Sequence, residues 1–180
     1  VTDSDDAASS WSTYNDNFEV KMGPEWSYTH SHDVMKVAFS SDGEYIVTGS
    51  KDNKVCLFDM GSSTPLWCYS TGNDVQAVAI SGDGEYIVVG SDDNNVYFFD
   101  KDSSTPEWSS DLGDDVRSVA ISENGDYIVA GVYNAKVYLF GMDSSTALWS
   151  YDTGNLNVEA VDISADGNYI VTGGEDSDVR

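Results

Sequence analysis

The fold is decided by a stretch of sequence that occurs three times. Its copies are VMKVAFSSDGEYIVTGSKDNKVCLFDMGSSTPLW (residues 34–67), VQAVAISGDGEYIVVGSDDNNVYFFDKDSSTPEW (75–108) and VRSVAISENGDYIVAGVYNAKVYLFGMDSSTALW (116–149). Four tryptophans keep the same step of 41 residues, namely Trp26, Trp67, Trp108 and Trp149. Self-similarity at a fixed period of this length is typical of an array of stacked structural units. The sequence therefore predicts a repeat protein.

Each repeat predicts four short strands and no helix. In the second copy these strands are VQAVAIS (75–81), EYIVVG (85–90), VYFFD (96–100) and a fourth around EWSS (107–110). β-Branched and aromatic residues dominate the runs, glycine recurs every few residues, and the apolar residues do not follow a helical period. The first two strands are separated by Asp83-Gly84, and we expect both of these residues to adopt the positive φ of a tight hairpin turn.

The predicted strands are apolar on both faces, and this sets the architecture. Val78 and Ile80 lie on one face, and Ala77 and Ala79 lie on the other. A sheet that buries both faces needs a sheet on either side, and four-stranded sheets of about 40 residues stacked radially form a β-propeller. We therefore predict an all-β fold, a β-propeller of four-stranded antiparallel blades with a 41-residue repeat.

The repeat also divides the chain into blades. We predict complete blades at residues 34–71, 75–112 and 116–153, a truncated blade at 158–180, a partial blade at 17–30 and a flexible acidic leader at 1–16. Closed propellers have about four to eight blades. The blades form either a four-bladed ring completed by the N-terminal strands or an arc of a larger propeller. The repeat that breaks off at the C-terminus favours the arc.

Residues 34–59 resemble the WD40 repeat, whose pattern is V-x-x-V-x-F-S-x-D-G-x-x-I-x-x-G-S-x-D-x-x-V-x-L-W-D. Phe58-Asp59 stands in place of the Trp-Asp pair, and the likeness extends over roughly residues 26–180. The resemblance implies a propeller that binds partners at one rim. It also implies a hydrogen-bonded His–Ser/Thr–Asp set in the blades, for which His30 or His32 is available only ahead of the first blade.

A second resemblance is to quinoprotein-type propeller repeats. Residues 90–108, which run from G-S-D-D-N-N-V-Y-F-F-D to a tryptophan, carry this likeness. Some propellers of that type are dehydrogenases with a quinone cofactor, and many relatives only serve as scaffolds. Because propellers host many unrelated roles, either resemblance implies the fold more closely than the function.

The composition excludes several classes of partner. The chain has 180 residues, with 8 Lys+Arg against 32 Asp+Glu, and its formal net charge is −24. Nucleic-acid binders need a Lys/Arg surface that displaces counterions, and anionic lipid attracts basic segments. No apolar stretch is long enough to span a bilayer as a helix. We therefore predict no nucleic-acid partner and no membrane insertion in this segment.

The sequence shows no catalytic constellation. Its two histidines, His30 and His32, lie in one loop, and G-x-S-x-G, H-E-x-x-H, C-x-x-C and P-loop motifs are absent. We interpret the pair as a polar loop in which one histidine orients the blade, with a metal site as the alternative. The acidic turns at 91–95 and 100–104 lack the spacing of a calcium loop. We predict no enzymatic activity, no cofactor and no metal site.

The two cysteines belong to the same blade. If the third and fourth strands of that blade pair Phe58 with Leu66, then Cys56 lies directly opposite Cys68 on the same face of the sheet. Cysteines placed in this way are within reach of a disulfide. Two interpretations stay open: a disulfide, which indicates an oxidising compartment, and two independent buried thiols.

Two positions differ among the repeats although the framework around them is kept. The first holds Met35, Gln76, Arg117 and Glu159, and the second holds Lys51, Asp92, Tyr133 and Glu175. In the disc that the WD40 resemblance implies, both positions lie near the loops of the rim that binds ligands. We take these eight residues as the candidate binding surface. Drift at neutral exposed positions explains the variation equally well.

These observations lead to one function and two alternatives. The leading hypothesis is a non-catalytic interaction scaffold that binds a protein or a carbohydrate, outside the cell or at its surface. The first alternative is a segment of a quinoprotein-type enzyme whose active residues lie outside this segment. The second is a structural cell-surface repeat protein adapted to high salt, because dense surface acidity keeps a protein soluble but is self-repelling when it is unscreened.

Overall fold

The computed structural model describes residues 26–154 and 157–175, together with the backbone of residues 12–13 and 19–20. It confirms the all-β fold, since the described residues form sixteen strands and no helix. Three antiparallel sheets have four strands each, and two further sheets have two strands each. The sheets form part of a β-propeller that is not closed within the described residues.

The strands follow one order in every blade. Blade 1 consists of β3 (Val34–Phe39), β4 (Tyr45–Ser50), β5 (Lys54–Asp59) and β6 (Trp67–Ser70). Blade 2 consists of β7 (Val75–Ile80), β8 (Tyr86–Ser91), β9 (Asn95–Asp100) and β10 (Trp108–Asp111). Blade 3 consists of β11 (Val116–Ile121), β12 (Tyr127–Val132), β13 (Lys136–Gly141) and β14 (Trp149–Asp152). Blade 4 consists of β15 (Val158–Ile163) and β16 (Ile170–Gly174).

The N-terminal part of the predicted division is described only in pieces. Strand β1 (Ser12–Thr13) belongs to the predicted leader at 1–16, yet it pairs with β2 (Glu19–Val20) in a two-stranded sheet. Most of the predicted leader, part of the partial blade at 17–30 and the last five residues of the truncated blade at 158–180 lie outside the described residues.

The turn between the first two strands of a blade differs from the prediction in one respect. Gly84 has a φ of +75°, but Asp83 is not among the residues with positive φ. The Asp83 carboxylate instead accepts hydrogen bonds from the Ser81 hydroxyl at 2.7 Å and from the Glu85 amide at 3.1 Å. Glycine supplies the backbone conformation that a residue with a Cβ disfavours, whereas aspartate fixes the turn through its side chain.

Close packing between blades explains a second glycine that recurs in the repeats. A Cβ added to Gly49 would lie 2.5 Å from a methyl of Val75 in the next blade, and one added to Gly90 would lie 2.7 Å from a methyl of Val116. The first strand of each blade can therefore approach the second strand of the preceding blade only where glycine is present. Val75 and Val116 are completely buried by this contact.

Three of the four tryptophans with the 41-residue spacing also contact the blade that follows them. The indole of Trp67 stacks on Phe99, with ring centroids 5.3 Å apart, and its Nε1–H donates a hydrogen bond to the Lys101 carbonyl at 2.6 Å. Trp26 and Trp108 make the equivalent bonds to the carbonyls of Met60 and Met142, each at 2.7 Å. One residue type per repeat thus supplies both an apolar contact and a directional bond between blades.

The interior of the stack is apolar. Among the described residues, the buried polar side chains are one histidine, five serines and one threonine, and no carboxylate is in this class. Most of the acidic residues lie in the turns and at the strand ends, although Asp162 lies within β15. Of the residues described, none belongs to a helix long and apolar enough to cross a membrane.

Candidate functional site

A β-bulge positions the first set of predicted rim residues. In blade 2, Val75 pairs with Ser91 and Ala77 pairs with Gly90, so Gln76 is an extra residue in the first strand. The same shift occurs in the other three blades, at Met35, Arg117 and Glu159. A bulge takes one residue out of the ladder and re-aims its side chain. Each of the four residues therefore lies outside the strand pairing that fixes the orientation of its neighbours.

The second set of predicted rim residues lies at the same end of the blades. Lys51, Asp92, Tyr133 and Glu175 each follow the second strand directly. The backbone N–H of Asp92 donates to the carbonyl of Asp74, just ahead of the first strand, at 2.9 Å, and the N–H of Tyr133 does the same to Asp115 at 2.9 Å. The start of the first strand and the end of the second strand are thus joined at one rim of the stack.

Four of the eight predicted residues form one connected group across blades 2 and 3. Gln76 donates a hydrogen bond to the Asp92 carboxylate at 2.6 Å, and Asp92 lies 3.7 Å from an Arg117 guanidinium nitrogen. The same guanidinium lies over the ring of Tyr133, 5.0 Å from its centroid. We call Gln76, Asp92, Arg117, Tyr133 and their neighbour Asp115 the rim cluster.

Asp115 is the member of the rim cluster that the sequence reasoning missed. It accepts a hydrogen bond from Arg117 at 3.3 Å. Burial raises the pKa of Asp115 above its usual value and the nearby Asp92 carboxylate adds to this, whereas Arg117 opposes the rise. The available signal was an acidic residue or Asn157 immediately ahead of the first strand in every blade, a position that the comparison of repeats did not single out.

The other four predicted residues lie at the same rim in blades 1 and 4. Met35 has 38% of its surface exposed. Lys51 makes a long ion pair with Asp33 at 3.9 Å, and Glu175 accepts a hydrogen bond from Asn157 at 3.1 Å. Glu159 is exposed. The structure therefore concentrates the connected polar contacts in the two central blades and leaves the outer rim residues more loosely held.

His30 fastens the segment that precedes the first strand to blade 1. It is 8% exposed, its Nδ1 lies 3.1 Å from the Asp52 carboxylate, and its Nε2 lies 2.9 Å from the Thr48 hydroxyl. Burial raises the pKa of Asp52, but hydrogen bonds from the Ser31 amide and from His30 outweigh it and hold the pKa below its usual value. This arrangement is the His–Thr–Asp set that the WD40 resemblance implies, present in the blade that has a histidine ahead of it.

In blade 2 the equivalent aspartate finds a different donor. Tyr97 donates its phenolic hydrogen to Asp93 at 2.6 Å, and the Gly72 amide donates to the same oxygen at 2.6 Å. Burial raises the pKa of Tyr97 and the adjacent Asp93 carboxylate raises it further, so the phenol stays protonated. In blade 3 the position holds Asn134, which donates to the Leu112 carbonyl at 3.3 Å and leaves its own side-chain oxygen buried without a hydrogen bond.

Cys56 and Cys68 face each other in blade 1. The register of β5 and β6 pairs them directly, with Cα atoms 4.1 Å apart, and the structure joins their sulfurs in a disulfide. Cys56 is completely buried. The equivalent pair in blade 2 is Tyr97 opposite Ser109. The disulfide thus occupies the place where blade 2 has its buried tyrosine.

The structure offers little that could support the alternative of a metal site. Within residues 26–154 and 157–175, no group of three or more His, Cys, Asp or Glu side chains is placed to hold a metal ion. His32 accepts a hydrogen bond from the Asp33 amide at 2.9 Å, while His30 is committed to Asp52. In the acidic turns, Asp100 accepts a hydrogen bond from the Asp102 amide at 2.8 Å, so this carboxylate shapes its own turn.

Comparison with known families agrees with the geometry of the sheets. The model of the family described as WD domain, G-beta repeat matches the chain four times, at residues 24–59, 63–100, 109–150 and 145–180. These matches cover most of the chain, and each of them is offset from the blades, as the match at 63–100 contains the last strand of blade 1 and the first three strands of blade 2. No curated protein matches the chain.

Proposed function

Because the chain belongs to the WD40 repeat family, we propose that it is a non-catalytic interaction scaffold whose rim cluster binds a protein partner. The family consists generally of interaction scaffolds. The proposal rests on the WD40 match and not on the likeness to quinoprotein repeats.

The observation that carries the proposal is the state of Arg117 and Tyr133. Both side chains are at bulge or turn positions where the repeats differ, and both are held in place before any partner arrives. Tyr133 is 42% exposed, and the Arg117 side chain is 29% exposed. Arginine and tyrosine are, with tryptophan, the residue types in which the hot spots of protein interfaces are enriched. Prior ordering lowers the entropy that binding must overcome.

The same geometry favours a protein over a carbohydrate. Sugars stack on an open aromatic face, and the Arg117 guanidinium already covers one face of the Tyr133 ring. The rim around the cluster is acidic, with Asp74, Asp92 and Asp115 close to the start of the first strands. A basic protein surface with a carboxylate for Arg117 complements this arrangement of charges.

Cross-linking tests the proposal. The wild-type chain and the variant Arg117→Ala/Tyr133→Ala are incubated with extract or medium of the source organism and cross-linked, and bound proteins are identified by mass spectrometry. We expect a partner that is captured by the wild type and lost with the variant. The control Glu44→Ala changes an exposed residue at the opposite end of blade 1 and should keep the partner. Equal capture by all three proteins contradicts the proposal, and glycan-array binding lost with the variant replaces the protein partner by a carbohydrate.

We also propose an extracellular or cell-surface location. Support comes from the Cys56–Cys68 pairing, because disulfides persist in oxidising compartments. Thiol labelling of the protein taken directly from its native source tests this. We expect no label until a reductant is added, and two thiols labelled without reductant contradict the proposal.

A high-salt setting is a second proposal, and the net charge of −24 favours it. Carboxylates crowded on the blade ends repel each other, and this repulsion is screened by salt. We expect the melting temperature to climb steeply between about 0.1 M and 2 M NaCl and to climb less in sucrose of equal osmolarity. A flat response to NaCl contradicts the proposal.

A further inference from the structure

One exposed tripeptide is identical in the three complete blades, although the fold uses little of it. It lies between the third and fourth strands and reads Ser-Ser-Thr at residues 62–64, 103–105 and 144–146, with the 41-residue step of the repeat. These loops lie at the end of the blades opposite to the rim cluster, because they connect the end of the third strand to the start of the fourth. The proposed function does not involve them.

The first serine of each tripeptide shapes its loop. The Ser62 hydroxyl accepts a hydrogen bond from the Thr64 amide at 3.1 Å and donates one to the Thr64 carbonyl at 3.3 Å. Ser103 makes the same two bonds with Thr105, each at 3.0 Å, and the bond from the amide recurs in blade 3 at 3.0 Å. Serine closes turns through its side chain in this way. The recurrence of this first serine therefore has a structural cause.

The second serine and the threonine have no such role for their hydroxyl groups. We call these residues the hydroxyl pairs, namely Ser63 with Thr64, Ser104 with Thr105, and Ser145 with Thr146. All six residues are exposed, and within the described part of the chain their hydroxyls form no hydrogen bond. The loop of blade 3 keeps its threonine although it has Ala147 in place of proline. The extended backbone that is favoured before proline therefore does not explain the threonine.

The residues around the tripeptide differ from loop to loop in charge and polarity. The position two residues before it holds Met60, Lys101 and Met142, and the position two residues after its threonine holds Leu66, Glu107 and Leu148. Sequence drift has thus acted on these loops but has left the hydroxyl pairs unchanged in all three. Loop residues that are kept without a structural reason indicate a function.

We infer that the hydroxyl pairs are acceptor sites for O-linked sugars. Segments rich in serine and threonine that also contain proline are typical acceptors of such sugars. In the transfer, the hydroxyl oxygen bonds to the anomeric carbon of a sugar that is activated as a phosphate ester. The bond between that carbon and the phosphate oxygen breaks, and the phosphate leaves with the electron pair of this bond. The hydroxyl proton passes to a base of the transferase.

The charges of the loops favour a neutral sugar over a phosphate group. Carboxylates lie close to each hydroxyl pair in the chain, namely Asp59 in blade 1, Asp100 and Asp102 in blade 2, and Asp143 in blade 3. A phosphate group carries a charge of about −1.5 to −2, and these carboxylates would repel it. The ammonium group of Lys101 is already paired with Glu85 at 3.0 Å. A sugar adds bulk and hydroxyl groups without adding charge.

Mass spectrometry of the protein purified from its native source tests the inference. The intact mass should exceed that of the sequence by whole sugar units, and electron-transfer fragmentation of the loop peptides should place the sugars on the hydroxyl pairs. Mild alkali should release them by β-elimination. Loop peptides that carry no sugar overturn the inference, and a phosphatase-sensitive group on the same hydroxyls overturns the choice of a sugar.

Paired alanine variants produced in the source organism sharpen the result. Ser63→Ala/Thr64→Ala should remove the sugar of blade 1 only, and the same change in all three loops should return the mass to that of the unmodified sequence. Because these hydroxyls make no hydrogen bond in the fold, the variants should fold like the wild type, and thermal unfolding checks this. Sugar that persists after the change of all three loops overturns the assignment.

The matched control is Ser109→Ala, because Ser109 is an exposed serine of blade 2 that lies in the fourth strand and outside the loops. This variant should keep the mass of the native protein. Loss of sugar in it would show that exposure alone selects the acceptor, which contradicts the inference. Arg117→Ala/Tyr133→Ala should carry the same sugars as the wild type, so failure here is separable from failure at the rim cluster.

Discussion

Blades 1 and 2 have the same framework of strands. At one equivalent position, however, different side chains stabilise the two blades. In blade 1 the aspartate after the second strand is paired with His30, and the third and fourth strands are joined by Cys56 and Cys68. In blade 2 a single residue, Tyr97, fills both places, since it lies opposite Ser109 and its hydroxyl reaches Asp93. The aspartate needs a buried hydrogen-bond donor, but different elements of the fold can supply that donor in different blades.

Blade 3 keeps the tyrosine, as Tyr138 opposite Ser150, but lacks the aspartate. Asn134 stands in its place, and the side-chain oxygen of Asn134 is left without a hydrogen bond. The position ahead of the first strand, where blade 1 has His30, is occupied here by Leu112, which is 7% exposed. The polar set is therefore optional for the fold, because packing between blades supplies most of the stability.

The largest effect should come from the disulfide of blade 1. Reduction, or the variant Cys56→Ser/Cys68→Ser, should lower the free energy of unfolding by about 3 kcal/mol, because the bridge closes a short loop in the unfolded chain. Urea unfolding with and without dithiothreitol measures this difference. The double variant serves as the control, since dithiothreitol should leave it unaffected. Wild-type protein that unfolds identically in both conditions would show that the thiols are not bonded.

A smaller loss is expected from the carboxylate of blade 2. Asp93→Ala leaves the Tyr97 hydroxyl and the Gly72 amide without their acceptor, which should cost about 2 kcal/mol. The matched change in blade 3, Asn134→Ala, removes one long bond and should cost clearly less. Denaturant unfolding of both variants compares them. Equal losses of stability in the two variants would mean that the hydrogen bond from Tyr97 to Asp93 contributes nothing beyond the packing of the tyrosine ring.

The pH dependence of the free energy of unfolding should reveal the contribution of Asp52 in blade 1. Because the folded-state pKa of Asp52 is lowered, its contribution to stability is present above the unfolded value of about 3.9 and is lost as the pH falls through the folded pKa. Asp52→Asn should therefore be less stable than the wild type at pH 7 by about 1 kcal/mol, and the gap should narrow below about pH 4. A difference in stability between the wild type and Asp52→Asn that stays constant from pH 7 to pH 3 would show that ionisation of Asp52 is not its cause.

The smallest effects are expected at the bulges. Met35→Ala in blade 1 should change the free energy of unfolding by less than about 0.5 kcal/mol, since an exposed residue outside the ladder contributes little. Gln76→Ala in blade 2 should cost slightly more, because Gln76 donates a hydrogen bond to Asp92. Thermal unfolding at one pH ranks the two variants. A loss above about 1.5 kcal/mol for Met35→Ala would show that the bulge residue helps to hold the fold.

Much of the fold could be predicted because the repeat reports the same information several times. The period of the tryptophans indicated the blade length, and the pairing inferred for Phe58 and Leu66 placed Cys56 opposite Cys68, as the register shows. Comparing the copies of a repeat cannot reveal a structural feature that every copy has but that leaves no mark in the sequence. The bulge at Gln76 is of this kind, because its neighbours Val75 and Ala77 read as an ordinary strand.

The candidate site was harder to predict than the fold for a physical reason. Comparison of repeats marks the positions that differ, and it marked Arg117 and Tyr133, but it is insensitive to contacts between blades. Asp115 contacts Arg117 of its own blade, and it joins the rim cluster because Arg117 also reaches Asp92 in the blade before.

The bulge separates the tasks of folding and recognition within each repeat. Its residue belongs to no strand pair, so nearly any side chain can stand there without disturbing the register on either side. Successive blades therefore offer one replaceable position each, at nearly constant spacing around the rim. Substitution of those residues alone could give this protein a new binding specificity, while the rest of each 41-residue unit stays the same.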